Sequence, residues 1–372
     1  MLARFSLASR VNKRKKSRAC PLGGPKRAVN LPQSSGGDRE SMSEEPLVTV
    51  LTPVYNGEAF LEECIESVLR QTYRNYEYII VNNCSKDRTP EIASQYAKRD
   101  SRIRVHNNND FVGVIENHNI AFRLISAESK YCKVVSADDW LFPECIKRMV
   151  ELAETHPSAG IVGSYQLSGG GGKWYVRTDG LPYHTSLISG REICRAHLLS
   201  SMDVFGNPTS NLYRCDLIRS TDCFYPNSTA EADISACFKN LRYTDFGFVH
   251  QVLSCERIHE IRQTSTSTNL NAYLSSEIGD LLAYGTFYLT TDEADRCLKD
   301  LMDEYYAFLA ISAVNFRGKE FWHYHKRRLE ELGHPLSGLR LGKAVSLKLI
   351  DLLLNPKRTV EALLKRVHNR RT

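Results

Sequence analysis

From Pro46 onward the chain alternates between two textures. "PLVTVLTPVYN" sets Val48, Val50 and Leu51 in a β-rich run that Pro53 ends. In "EAFLEECIESVLRQT" the apolar residues fall at Phe60, Leu61, Cys64, Ile65, Val68 and Leu69, the spacing of one helix face. "YEYIIVNN" is a short apolar run between polar borders and predicts a buried strand. "TPEIASQYAKRD" predicts a helix, "RIRVHNN" a strand, "GVIENHNIAFRLISAE" a helix and "YCKVVSA" a strand. "PECIKRMVELAETH" predicts a helix with Pro143 in its first turn, and "AGIVGSYQL" another strand. Strict alternation of strand and helix predicts an α/β fold, a mostly parallel sheet covered on both faces.

Further on, "SGGGGKW" (Ser168–Trp174) reads as a flexible loop. A helix is expected near "REICRAHLLS", a strand in "NPTSNLYR", a helix around "EADISACFKNL" and a strand at "FGFVHQVLS". After about residue 265 the pattern is helical throughout. Residues 1–41 hold no apolar period. Gly, Pro, Ser and charge dominate there, which predicts a disordered basic tail. Met42, just ahead of the first strand, is an alternative start. The expected organisation is a tail over 1–41, one large domain over 42–265 and a helical region over 266–372.

Composition narrows the classes. The chain has 372 residues, 42% of them hydrophobic, enough for a sizeable core. No stretch approaches the ~18 uninterrupted apolar residues of a spanning helix. The 11 cysteines are odd in number and contain no CxxC pair, so a reducing, cytoplasmic setting is expected rather than a disulfide framework or zinc site. The net charge of +6 sits at the ends. Residues 1–41 set ten Lys and Arg against Asp38 and Glu40, and residues 341–372 set eight against Asp351 and Glu361. The body between is net acidic, which argues against a nucleic-acid partner and for ends that could meet an anionic surface. In "NPKRTVEALLKRVHNRRT", Val360, Leu363, Leu364 and Val367 form one apolar stripe among Lys and Arg. A helix of that kind either lies on the inner face of an anionic membrane or docks on the protein's own body.

Candidate chemistry collects at the strand ends. In an open α/β sheet ligands lie beyond the carboxyl ends of the strands. Those ends read "TPVYN", "VNNCSKD", "HNNND" and "SADDW", all rich in Asn and Asp. Four such ends on consecutive strands predict a shared cleft, and one alone would be ordinary turn chemistry. A carboxylate there can hold a hard divalent cation that bridges phosphates, so the cleft suits a nucleotide diphosphate.

These motifs, in this order and spacing, resemble family 2 of the inverting glycosyltransferases, which have the GT-A fold. The resemblance covers roughly Leu47 to His259. It implies a nucleotide-diphosphate sugar donor, an acceptor hydroxyl on a glycan or lipid-linked sugar, and Mn2+ or Mg2+ as cofactor. It places Thr52, Pro53 and Tyr55 in the nucleotide-sugar site, with Asn82, Asn83 and Asp87 at the base and ribose. It sets Asn119, with His118 in place of an Arg, beside the diphosphate in a segment that starts at Gly113. Its Asp-x-Asp aligns with Ser136-Ala137-Asp138, so the first acid is lost while Asp138 keeps the metal-binding place. Asp139 either supports that site or caps the next helix. His259, in an Arg-x-His with Arg257, matches a metal ligand of some relatives. Asp233 matches the general base of a Glu-Asp pair whose Glu is Ala232 here, with Glu231 one residue earlier. Each position has a bland counterpart: an Asx turn at Asn82 and Asn83, a helix surface at His118, a helix cap at Asp233. Trp140 and Trp174 could stack on sugar faces or pack, and the glycines of 169–172 could close over a substrate or form a hairpin tip. Two other readings stay open: a degenerate nucleotide-sugar-binding module, and a sugar-phosphate nucleotidyltransferase, whose early Gly-rich loop is missing after the first strand.

Overall fold

The computed structural model describes residues 45–199, 202, 204–226, 231–259 and 270–355. Strands β1 (Val48–Val54), β2 (Tyr76–Asn82), β3 (Ile103–Asn107) and β4 (Tyr131–Val134) are parallel and adjacent, in the order β3-β2-β1-β4. Helices α1 (Leu61–Leu69), α2 (Thr89–Arg99) and α3 (Val114–Arg123) connect them. β5 (Trp140–Leu141) and α4 (Cys145–Thr155) lead into β6 (Ala159–Gly170), which turns back as β7 (Lys173–Arg177). β8 (Leu187–Ile188), α5 (Gly190–Leu198), a 3-10 turn (Pro208–Ser210), β9 (Asn211–Arg214), α6 (Cys215–Arg219), α7 (Ala232–Asn240) and β10 (Asp245–Arg257) complete the sheet region. β9 lies antiparallel between β4 and β6, and β10 runs parallel to β6.

Period-two alternation explains the layering. Val48, Val50, Tyr78 and Ile80 face α1, α2 and α4 in one core. Leu51, Ile79, Val81 and Val134 face the other way, against Phe122 of α3 and Phe238 of α7. Each fully buried Leu or Ile contributes about 1.5–3 kcal/mol. A third core lies among α8 (Tyr273–Tyr288), α9 (Thr291–Val314), α10 (Lys319–Glu331) and α11 (Gly338–Leu354). Thr290 caps α9 in a reciprocal box with Glu293. Glu293 also forms a bidentate pair with Arg195 of α5, tying the helices to the sheet region.

Two expectations need correction. Pro143 stands ahead of α4, which starts at Cys145 after the N-cap Glu144. The stretch Ser168–Trp174 is a two-residue hairpin: β6 and β7 pair up to Gly170 and Lys173. Only Gly171 and Gly172 turn, at φ +58° and +80°, a conformation that glycine adopts without strain. The strand in "NPTSNLYR" is antiparallel to both of its neighbours. Among the described residues no helix is long and apolar enough to cross a membrane. The stripe at Val360–Val367 and the tail of residues 1–41 lie outside the described residues.

Candidate active site

The cleft opens beyond the carboxyl ends of β1 to β4. Two loops form its floor and are latched together. Asn56 Oδ1 accepts from Lys86 N at 2.8 Å, and Ser85 Oγ accepts from Asn56 N at 2.9 Å. Asp87 accepts from the backbone N–H of Glu58 and of Thr89, both at 3.0 Å. Burial pushes the Asp87 carboxyl up, but these hydrogen bonds prevail and hold it below its usual range. Cys84 stands at φ +56°, a left-handed conformation uncommon outside glycine.

The asparagines of the cleft have protein partners. Asn82 Nδ2 donates to Asn107 Oδ1 at 2.8 Å, and its Oδ1 accepts from Ser85 N at 3.1 Å, an Asx-type contact. Asn83 donates to Val112 O and accepts from Val112 N and Asn108 Nδ2. Asn119 clamps the backbone of Tyr225 at both N–H and C=O. All three are buried. The Thr52 hydroxyl, also buried, meets Tyr78 OH at 2.9 Å, and Pro53 lies within the strand. His118 Nδ1 meets Val114 O at 2.8 Å, and burial lowers its pKa, which favours the neutral ring. Tyr55 is half-buried and packs on Phe111, centroids 4.8 Å apart; Phe111 is 61% exposed and open to a stacking partner.

Asp138 and Asp139 do different things. Asp139 is 1% exposed. Its carboxylate accepts from Thr209 Oγ1 at 2.7 Å, Asn207 Nδ2 at 3.3 Å and Arg257 N at 3.1 Å. It therefore joins the loop after β4 to the 3-10 turn and to the end of β10, and α4 takes no cap from it. Lys133, fully buried in β4, donates to the carbonyls of Thr209 and Asn211 and fixes that turn from below. Asp138 faces the cleft. Its Oδ2 lies 3.0 Å from His259 Nε2, and the two side chains are 26% and 19% exposed. The other ring nitrogen of His259 is buried without a partner among the described residues.

Arg257 locks this end of β10. It pairs with Glu63 of α1, donates to Asp138 O at 3.2 Å and lies 4.7 Å from the ring centres of both Phe60 and Trp140. Phe60 packs against His259 at 4.6 Å, and Trp140 meets Trp174 edge-on at 5.7 Å. Trp174 stays 43% exposed.

Asp233 is half-buried in the first turn of α7. Burial pushes its carboxyl up to about 6. The N–H groups of the helix start and the charge of Arg177 pull the other way, while Glu256 raises it further. Arg177 and Glu256 form an ion pair at 2.9 Å, with Ser168 bonded to the same Glu256 oxygen. Sequence reasoning missed Arg177, Glu256 and Thr209. The Gly171–Gly172 turn held the signal for the first, because a tight hairpin there sets Arg177 opposite Gln166.

Asp138 and His259, 121 positions apart, are thus brought together. An acid and an imidazole at the mouth of an oxygen-rich cleft fit a divalent cation whose remaining ligands come from a diphosphate and water. Among the described residues no three His, Cys, Asp or Glu side chains gather into a metal-binding group. Asp233, with its raised pKa, has the chemistry of a base that works near neutrality.

Comparison with known proteins gives the family and the fold. Residues 49–218 match the model of glycosyl transferase family 2. An uncharacterised glycosyltransferase, EpsJ of Bacillus subtilis, is 44% identical over 110 residues, 29% of this chain and 31% of that protein. The glycosyltransferase GlyG of Streptococcus pneumoniae is 29% identical over 153 residues, 41% of this chain and 46% of that protein. The chain thus spans less than half the length of either relative. The crystal structure of S. aureus TarS 1-349 in complex with UDP-GlcNAc superposes with a TM-score of 0.56 over 77% of this chain and 80% of that one, at 16% identity.

Proposed function

The chain belongs to glycosyltransferase family 2 and has the GT-A fold, and we propose that it transfers a sugar, with inversion, from a nucleotide-diphosphate donor to an acceptor hydroxyl. The observation that carries this reading is the pairing of Asp138 with His259 at the cleft mouth, with a carboxyl of raised pKa at Asp233. The base of the nucleotide would stack on the exposed ring of Phe111, which Tyr55 supports. Asn82, Asn83 and Asp87 would shape the base and ribose pocket by holding its loops, and Asn119 by holding Tyr225. His118, neutral by burial, would offer the diphosphate a weak contact at most. Asp138 and His259 would hold Mn2+ or Mg2+, which when bound neutralises the charge gathering on the leaving diphosphate.

Inversion is a single displacement at the anomeric carbon. Asp233 takes the proton of the acceptor hydroxyl as that oxygen attacks, and the nucleotide diphosphate leaves from the opposite side. Arg177, held by Glu256, keeps a positive charge near Asp233 and favours its ionised form. Trp174 gives the acceptor side an exposed aromatic face suited to a pyranose, in keeping with a glycan or lipid-linked sugar as acceptor. The apolar residues exposed along α11, followed by the basic sequence of 356–372, support peripheral contact with a membrane that carries such an acceptor. TarS was crystallised with UDP-GlcNAc, so uridine donors head the panel.

The test has two arms. Thermal stability is measured with UDP, GDP and dTDP, each with Mn2+, Mg2+ or a chelator, and one nucleotide is expected to stabilise only with metal. Asp233→Asn is then expected to keep that stabilisation while transfer falls by about 10²–10⁴-fold. Full activity in Asp233→Asn would remove the residue from the mechanism.

A further inference from the structure

The start of α7 is held by a carboxylate that no motif contains. Asp280, midway along α8, is 4% exposed and accepts a 2.5 Å hydrogen bond from Ser235 Oγ. Ser235 follows Asp233 by two positions and Ala232 by three. Helix positions three apart share a face, so Ala232 and Ser235 point the same way, toward α8. Ala232 stands where the resembling family has the acid of its Glu-Asp pair. Asp280 therefore brings an acid to the face from which that acid is missing, from a helix beyond the 49–218 segment.

We propose that Asp280 is a positioning residue for Asp233: bonded to Ser235, it anchors the first turn of α7 to the C-terminal helices and acts as the second acid of the base site. The proposal rests on the reading of Asp233 as the base. It makes the helical region part of the active site.

The charges around the two acids are as follows. Asp280 is reached by Asp233 of α7, by Glu277 of its own helix and by Arg328 of α10. Asp233 is reached by Arg177 of β7 and Glu256 of β10, and its own charge acts on Tyr213 of β9, on Tyr225 and on Cys237 of α7. Burial raises Asp280 to about 7; Ser235 and Arg328 lower it, and the Asp233 charge adds to the rise. Asp233, at about 6, ionises before Asp280, at about 7, so the Asp233 charge is already present when Asp280 titrates and helps it keep its proton. Removing the Asp233 charge should then lower the midpoint of Asp280.

The experiment follows the carboxyl carbon of Asp280 by NMR in the full chain with 13C-labelled aspartate, from acid to alkaline pH. Its resonance is identified as the one lost in Asp280→Glu. In Asp233→Asn the midpoint is expected to fall by ~0.5 pH unit or more, and an unmoved midpoint would overturn the proposal. If Asp233→Asn does not fold, Ser235→Ala replaces it. Loss of the donor should raise the midpoint of Asp280 itself, and no change there overturns the proposal too. Neither readout needs turnover, so these failures stay distinct from failure of the base reading, which appears as full transfer by Asp233→Asn.

Discussion

His259 Nε2 stands 3.0 Å from Asp138 Oδ2, joining the end of β10 to the loop after β4. Asp138→Ala should abolish metal-dependent stabilisation by the preferred nucleotide. His259→Ala should weaken it by at least the roughly 10–100-fold seen when the partner of a metal ligand is removed. Titration of Mn2+ against the nucleotide-bound protein, read by calorimetry, checks both. Equal metal affinity in wild type and His259→Ala would take His259 out of the site.

Thr209 is expected to matter although it touches no ligand. Its hydroxyl bonds to the buried Asp139 carboxylate, and its carbonyl accepts from Lys133. Thr209→Val keeps the shape and removes the hydroxyl. A hydrogen bond to a charged group contributes about 1.5–3 kcal/mol, so urea unfolding should show a loss of that order. Nucleotide affinity should fall as well, because the loop carrying Asp138 is released from the 3-10 turn. A variant as stable as wild type would show that Asn207 and Arg257 suffice to hold Asp139.

Much of this was legible in the sequence because it is local. The runs that became β1 to β4 and α1 to α4 follow their apolar periods, and four polar strand ends pointed to one cleft. Partners distant in sequence were not legible. Asn119 meets Tyr225 across 106 positions, and Arg257 meets Glu63 across 194. No spacing rule predicts either contact. The sheet was expected to be mostly parallel, and nothing in the short apolar run of β9 told its antiparallel direction. Asp280 stands in no motif, and only the packing of α8 on α7 shows that it is buried against Ser235.

His325 should give the C-terminal helices a sensitivity to acid. It is fully buried in the third core, and its Nδ1 meets Tyr305 OH at 2.6 Å. Burial lowers its pKa from 6.5 to about 4, so the folded protein holds the neutral ring. Between those values the unfolded chain binds more protons than the folded one, and stability falls as pH drops from 6.5 toward 4. Asp280 works the other way in the same range: its folded pKa of about 7 lies above the usual 3.8, so lowering the pH favours the folded state there. His325→Leu should therefore flatten the decline in melting temperature between pH 6.5 and 4, and expose the opposite trend from Asp280. An unchanged acid limb in that variant would assign the loss to other groups.

The last prediction concerns α11. Leu339, Leu347, Ile350, Leu353 and Leu354 are each at least half exposed, while Leu341 and Ala344 pack against the third core. One side of the helix thus serves the fold and another presents leucine and isoleucine to solvent. Lys343 and Lys348 lie on the same helix, and the sequence continues with Lys357, Arg358, Lys365 and Arg366. Apolar burial and attraction to anionic headgroups would act together on such a surface. Full-length protein should sediment with vesicles that contain phosphatidylserine, less at high salt, and weakly with neutral vesicles. Leu353→Glu with Leu354→Glu should reduce sedimentation at least tenfold without changing the melting temperature, because neither residue belongs to the core. If the double variant binds as wild type does, the leucines do not enter the bilayer, and attraction by the basic segment accounts for the binding. If wild type stays in the supernatant at low salt, α11 does not contact the membrane, and its exposed face needs another partner.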